Sequence, residues 1–209
     1  VTNPVAKPEF KIGQNFDSNA GAYTTSGNMI FPLSSSAYLR VNGSASNAGN
    51  YETGSGIKPL TEYSTTDYTA ILGTLLSDGS KLEFNYTNNR QDKVGYPGLT
   101  MDIVYSYTDM YTLKYHRVTP FGMFSTMNVE LFNTDIDHLM NNVVLRGNTG
   151  NGVMSWPTAS DTYGGRIIGT IGSDIRAGID YEHNTKDAEQ NMVMSGMNVF
   201  MTYLWPGVE

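Results

Sequence analysis

The sequence lacks cysteine altogether, and its basic residues are few and scattered. The 209 residues include 13 Lys and Arg against 20 Asp and Glu, a formal net charge of -7. Proteins that bind nucleic acid usually concentrate basic side chains on one face, so this composition argues against nucleic acid as a partner. Without cysteine, disulfides and thiolate metal sites are excluded, which leaves His, Met and carboxylate side chains as the possible metal ligands.

Long apolar runs are also missing. The longest is the stretch 70–76, which contains Gly73 and falls far short of the roughly 20 residues that a membrane-spanning helix requires. The start of the chain, 1–10, carries Pro4 and Pro8 and shows no basic-then-apolar signal peptide. If the protein is exported, we therefore expect its signal to have been removed already.

Strict alternation of apolar and polar side chains is the strongest pattern that is present. In the stretch 81–88, apolar side chains occupy the even positions and polar ones the odd positions, and 110–117 and 175–182 alternate in the same way. Such alternation is typical of β-strands with two chemically different faces. The predicted strands are 9–17, 22–31, 37–46, 63–76, 81–88, 110–117, one running through Met123, Met127, Val129 and Leu131, then 163–171, 175–182 and 197–205.

The connections between these strands alternate in length. Short turns are predicted at 77–80, 119–122 and 172–174, and long polar loops at 47–62, 89–109, 135–161 and 184–196. Short turns at one end and long loops at the other are typical of outer-membrane barrels. The pattern predicts an all-β fold of about ten antiparallel transmembrane β-barrel strands. A soluble β-sandwich is the alternative, although the polar face here is too charged for an ordinary core.

A histidine and a methionine stand two residues apart after the seventh predicted strand. Odd positions in that strand are apolar and suit lipid, which assigns Asn128 and Glu130 to the barrel interior. If the backbone stays extended, His138 and Met140 inherit the interior side and lie on one face. Imidazole and thioether are soft ligands that favour copper, especially Cu(I). The alternative interpretation is a loop histidine beside a packing methionine.

A second group of methionines follows near the end of the chain. Met192, Met194 and Met197 lie in and after a polar loop, and we consider them possible secondary metal contacts. The alternative is that Met197 begins a strand and packs against lipid or another domain. No Gly-x-Ser-x-Gly motif or phosphate-binding loop is present in the sequence, and we do not expect an enzyme.

Five short motifs, spread over most of the chain, occur in the order and approximate spacing of a known family. They are Lys7-Pro8-Glu9-Phe10, Asn50-Tyr51 followed by Gly54 and Gly56, Gly95-Tyr96-Pro97 leading to Met101-Asp102, Asp137-His138-x-Met140-x-Asn142, and Ser160-Asp161-Thr162-Tyr163-Gly164-Gly165-Arg166. Together these motifs resemble the barrel of the TonB-dependent copper receptors. The resemblance implies that His138 and Met140 are copper ligands in an outer-membrane barrel of roughly 22 strands.

The resemblance also implies parts that this sequence does not contain. In that family a Cys-x-x-x-Met element in an N-terminal plug completes the ligand set, and this chain has no cysteine. We therefore expect residues 1–209 to be a partial receptor barrel domain without its plug. The expected partners are bacterial outer-membrane lipid, the rest of the barrel, the plug, and the TonB energy-coupling complex acting through that plug.

Three functions follow from these patterns. The first is TonB-dependent transport of copper, or of a copper complex, into the periplasm, with the copper ion as the transported substrate. The second is a porin-like or small structural barrel that closes with about ten strands. The third is a soluble β-sandwich binding module. A small closed barrel would pair its first and last strands, whereas a section of a transporter barrel would not. Solubility without detergent would identify the binding module.

Overall fold

The computed structural model describes residues 7–148, 152–172 and 175–193, and the regular elements in these ranges are all β-strands. They are β1 (Glu9–Asp17), β2 (Ala22–Pro32), β3 (Ala37–Ala48), β4 (Tyr63–Leu75), β5 (Lys81–Val94), β6 (Asp102–Arg117), β7 (Phe124–Asn141), β8 (Val153–Ile171), β9 (Ile175–Ala188) and β10 (Asn191–Val193). A helix long and apolar enough to cross a membrane is absent from this part of the chain.

The strands form one antiparallel sheet in which each strand from β1 to β8 pairs with the next along the chain. β10 also pairs with β8, in the register that β9 has already set, since Ala188 lies opposite Thr158 and Asn191 opposite Ser155. β10 therefore continues β9 along the same edge. In the described ranges β1 pairs with β2 alone and β9 with β8 alone, so the sheet is an open section of barrel wall. The predicted all-β, antiparallel barrel fold of about ten strands is confirmed.

The strands are longer than the sequence indicated, and the predicted loops 89–109 and 135–161 are wrong in extent. β5 continues to Val94 and β6 begins at Asp102, while β7 continues to Asn141 and β8 begins at Val153. These extensions carry polar side chains on both faces and apolar ones without a regular period over their whole length, and neighbouring strands supply their backbone hydrogen bonds. Most of the predicted loop 184–196 is likewise strand, because it contains the end of β9 and all of β10. The predicted strand 197–205 lies outside the described residues.

The short turns have the backbone geometry that their sequences predict. Gly79, Gly122 and Gly172 have φ values of 81°, 57° and 61°, in the left-handed region that favours glycine. In the turn between β4 and β5 the Asp78 carboxylate accepts the backbone N–H of Ser80 at 2.9 Å. These turns lie at one end of the sheet, and the loops 49–62 and 95–101 and the segment 142–148 lie at the other.

One face of the sheet carries a continuous apolar band. Leu72, Phe84, Leu113 and Leu131 stand directly opposite one another across four neighbouring strands. Ten residues predicted from alternation share this face, namely Leu82, Phe84, Tyr86, Tyr111, Leu113, Tyr115, Ile175, Ala177, Ile179 and Tyr181. The band is exposed, up to 76% for Ile179. We call this side of the sheet the apolar face and the other side the polar face.

A row of charges crosses the polar face behind the apolar band. Directly opposed residues alternate in sign from β5 to β9 in the order Glu83, Lys114, Glu130, Arg166 and Asp180. The Lys114 ammonium lies 3.7 Å from the Glu130 carboxylate. Pairs as exposed as these add little stability individually, but opposite signs favour this register over one that opposes like charges.

Beside this row, Tyr38 fills the space that Gly73 leaves open on the polar face. Tyr38 is fully buried and lies opposite Gly73 on β4. Its hydroxyl donates a hydrogen bond to the Glu83 carboxylate, and the Lys81 ammonium lies 5.3 Å from its ring centroid. A Cβ at position 73 would meet the ring atoms of Tyr38 directly. Glycine is therefore required here by packing.

We expect Gly73→Ala to destabilise the protein by about 1–3 kcal/mol, because the new methyl group would force the Tyr38 ring out of its position. Gly54→Ala is the matched control, since a Cβ there meets nothing within 4 Å. Urea or heat unfolding of both variants in detergent measures the difference. Equal stability of the two variants would contradict the packing explanation.

Candidate metal site at the far end of strand β7

The candidate site lies on the polar face, at the loop end of β7. His138 stands opposite Ser106 on β6 and Thr158 on β8, and Met140 lies two residues further along β7. By strand alternation both share a face with Glu130, the face expected to be the barrel interior. The apolar band of β7 ends at Leu131, so Met140 is about 30 Å beyond it along the strand, at about 3.3 Å per residue. The site thus lies well beyond the apolar band.

The His138 side chain has an unused nitrogen. Its Nε2 atom is buried and has no hydrogen-bond partner among the described residues. Burial lowers the pKa of His138 from its ordinary value, and the neighbouring Asp137 carboxylate offsets part of this effect. The imidazole is therefore neutral at neutral pH, the state in which a ring nitrogen binds a metal ion.

Met140 lies where the pairing of β6 and β7 becomes irregular. The register shifts between Ile103 and Tyr105, so Val104 is an extra residue on β6. Met140 stands beyond this bulge, opposite the buried Ile103 and opposite Trp156 of β8. His138 stands on the other side of the bulge, where the β6–β7 pairing is continuous.

Two further methionines lie on the same face. Met154 is two residues from Trp156 on β8, and it stands directly opposite Met192 of β10. Side chains at directly opposed positions have Cβ atoms about 4.5–5.5 Å apart, and diagonal neighbours such as Met140 and Met154 about 7–8 Å. The Asn142 side chain fixes this part of β8 by accepting the Met154 N–H at 2.9 Å. The structure thus places Met192 on the same face as Met140, two strands away, with Met154 on the strand between them.

Met154 was not predicted as a candidate ligand, because it falls within the predicted long loop 135–161. Only the register of β7 against β8 shows that Met154 shares a face with Met140. The other two possible secondary contacts, Met194 and Met197, lie outside the described residues.

Carboxylates do not join this group. Asp135 and Asp137 occupy odd positions of β7 and therefore lie on the opposite face from His138. Across residues 7–148, 152–172 and 175–193, no group of three or more His, Asp and Glu side chains is placed to hold a metal ion. The ligands available from the described chain are an imidazole and thioethers, a soft set that suits Cu(I) and not hard cations.

Comparison with known proteins adds information about the fold. No protein-family model and no curated protein sequence matches the chain. Among solved structures, a chain described as copper transporter OprC superposes with a TM-score of 0.76 at 17% identity. The two chains share a fold. The match covers 93% of this chain and 30% of the other, so this chain spans less than a third of that protein's length. At this identity, activity has to be argued from the site.

We expect His138 to titrate below its ordinary value of 6.5, because burial disfavours the charged imidazolium. Asp137→Asn should lower the midpoint further, since it removes a carboxylate that favours the charged form. NMR titration of histidine-labelled protein, with His138→Gln for assignment, measures both values. A midpoint at or above 6.5 would show that the imidazole is not held in a desolvated position.

Proposed function

We propose that this chain is part of the barrel wall of a bacterial outer-membrane, TonB-dependent transporter that carries copper, or a copper complex, into the periplasm. The observation that supports this most directly is the placement of His138. Its imidazole is neutral and has a buried nitrogen without a partner, on the same face of β7 as the Met140 thioether. The structural likeness to a protein described as a copper transporter agrees with the proposal.

Copper is the substrate in this proposal, held for a time and then released. His138 and Met140 supply two soft ligands, so this chain alone should hold Cu(I) weakly. In the TonB-dependent copper receptors, which this sequence resembles, a plug supplies the remaining ligands as thiolate and thioether sulfur. Movement of that plug, driven through TonB, would then open passage for the captured ion.

The two faces of the sheet support a position in the outer membrane. The apolar band is continuous across the strands and exposed, while the charged row lies behind it on the polar face. In a transmembrane barrel the first face meets lipid and the second meets the aqueous interior. The long strand extensions beyond the band would then stand on the extracellular side, where long loops belong.

The edges of β1 and β9, which are unpaired in the described part of the chain, indicate that further strands of the same barrel cover them. An edge strand leaves backbone N–H and C=O groups unpaired, which hydrocarbon does not tolerate. We propose that further strands of a barrel of roughly 22 strands cover the edges of β1 and β9, and that the plug fills the interior.

A porin-like barrel is the rival that shares these two faces. It would have no use for an unpartnered imidazole next to a methionine, so metal binding discriminates between the two. A soluble β-sandwich would need a second sheet over the apolar band, and the described residues form a single sheet.

We expect His138→Ala and Met140→Ala, made in the full-length protein that carries this sequence, each to weaken Cu(I) binding about 10-fold or more without unfolding the barrel. Competition with a Cu(I) chelator in detergent measures the affinity, and metal analysis of purified protein measures bound copper. Met127→Leu is the control, since it changes a methionine on the same strand but on the apolar face. An undiminished amount of bound copper in the His138→Ala, Met140→Ala double variant would contradict the assignment of these residues as ligands.

We expect Phe84→Arg to destabilise the folded protein in lipid vesicles by about 2–4 kcal/mol, because it would place a charge against hydrocarbon. Asn85→Arg is the matched control, since the next residue along β5 lies on the polar face. Urea unfolding in vesicles measures both. Similar losses from the two variants would contradict the assignment of the apolar face to lipid. A protein that stays folded and soluble without detergent would favour the soluble sandwich.

A further inference from the structure

An ion pair between a buried carboxylate and a partly exposed arginine joins two loops directly beside the candidate metal site. Asp102, the first residue of β6, is fully buried. Its Oδ1 atom accepts the backbone N–H of Tyr96 and an Arg146 guanidinium N–H, each at 2.8 Å, and its Oδ2 atom lies 2.7 Å from Arg146 Nε. Arg146 also donates to the Tyr96 carbonyl at 2.7 Å. We call this the Asp102–Arg146 clasp; it joins loop 95–101 to loop 142–148.

The clasp closes the end of the β6–β7 pair that carries Met140. Beyond the bulge at Val104, the pair continues only through Ile103 opposite Met140 and Asp102 opposite Asn141. The Asn141 side chain then accepts the N–H groups of Val143 and Val144 at 3.1 and 3.0 Å, which starts the turn leading to Arg146. Arg146 returns to Asp102, so the two strand ends and the turn form a closed ring of contacts.

The two candidate ligands lie on opposite sides of the bulge, and only Met140 lies on the side that the ring of contacts holds. A strand end held by two residue pairs frays easily unless something else holds it, because each additional pair offsets the entropy of ordering the chain. Met140 lies in this short end. His138 lies on the other side of the bulge, opposite Ser106, in a part of the ladder that continues without interruption to Arg117. On its other side Met140 stays paired with Trp156 of β8. Opening of the clasp would therefore free the β6 side of Met140 and leave His138 held on both sides.

Burial makes the clasp sensitive to the loss of one partner. Removing Arg146 would leave the Asp102 carboxylate buried without its counter-ion, and an uncompensated buried charge is strongly destabilising. Hydration of Asp102 would relieve that penalty, and the incoming water would compete with the contact between the Asp102 carboxylate and the Tyr96 N–H.

We propose that Asp102 and Arg146 are positioning residues that hold the Met140 thioether on the same side of the sheet as the His138 imidazole, an inference that rests on the proposed copper function. The clasp contributes no ligand. It adds the support of two loops to the methionine half of the site, while the histidine half depends on the sheet alone.

The test is a double-mutant comparison of Cu(I) affinity in the full-length protein, measured in detergent by competition with a Cu(I) chelator. Arg146→Ala should weaken Cu(I) binding about 10-fold in the wild-type and His138→Ala backgrounds, the size of effect seen when groups that orient metal ligands are removed. In the Met140→Leu background it should change the affinity less than about twofold, because the ligand that the clasp positions is already gone.

Two more variants keep the test decisive. Asp102→Asn keeps the acceptor for the Tyr96 N–H but removes the charge that holds Arg146, so it should show the same dependence on Met140. Arg166→Ala removes an arginine whose Nη2 atom lies 2.5 Å from the Asp180 carboxylate on the same face, away from the site, and should change the affinity less than about twofold.

Equal losses from Arg146→Ala in the wild-type and Met140→Leu backgrounds would overturn the inference, as would an equal loss from Arg166→Ala or no loss from either clasp variant. If His138→Ala and Met140→Leu weaken binding while the clasp variants do not, the clasp inference fails and the copper function stands. If His138→Ala and Met140→Leu also leave the affinity unchanged, both fail.

Discussion

Cross-strand register is the constraint on which the rest of this structure depends. Side chains alternate along a strand, so a slip of one residue between two strands would transfer every apolar side chain of one strand to the polar face. The observed pairing instead aligns Leu72, Phe84, Leu113 and Leu131 on one side of the sheet. The same pairing aligns Glu83, Lys114 and Glu130 on the other side. The candidate metal site follows from this register as well, because it places Trp156 of β8 opposite Met140 and Met192 of β10 opposite Met154 of β8.

How much of the fold was predictable depended on whether a segment has two different faces. β1 was predicted with its observed bounds, and the apolar and polar positions of β5, β6 and β9 were all assigned to the correct relative faces. The outer halves of β6 and β7 were missed, because residues such as Asp109 and Asp135 are polar and stand opposite each other. Period-two alternation needs one dry face, and these segments have none.

The residues of the candidate site were also only partly predictable from the sequence. His138 and Met140 could be placed on one face because their spacing of two has a single meaning in an extended chain. Met154, the clasp residues Asp102 and Arg146, and the packing of Tyr38 against Gly73 could not be found from spacing, because each depends on contacts between strands or loops distant in the sequence. The orientation of Asp135 and Asp137 away from His138 also has a chemical consequence. It keeps hard oxygen ligands out of a soft site.

The row of alternating charges limits how this wall can change over generations. Glu130 has a cation directly opposite it on each side, Lys114 and Arg166. Reversing its sign alone would create two like-charge contacts at once, whereas neutralising it would create none. Substitutions in this row should therefore pass through uncharged residues or be accompanied by compensating changes on adjacent strands. The charges at positions two strands apart should then be correlated in sign.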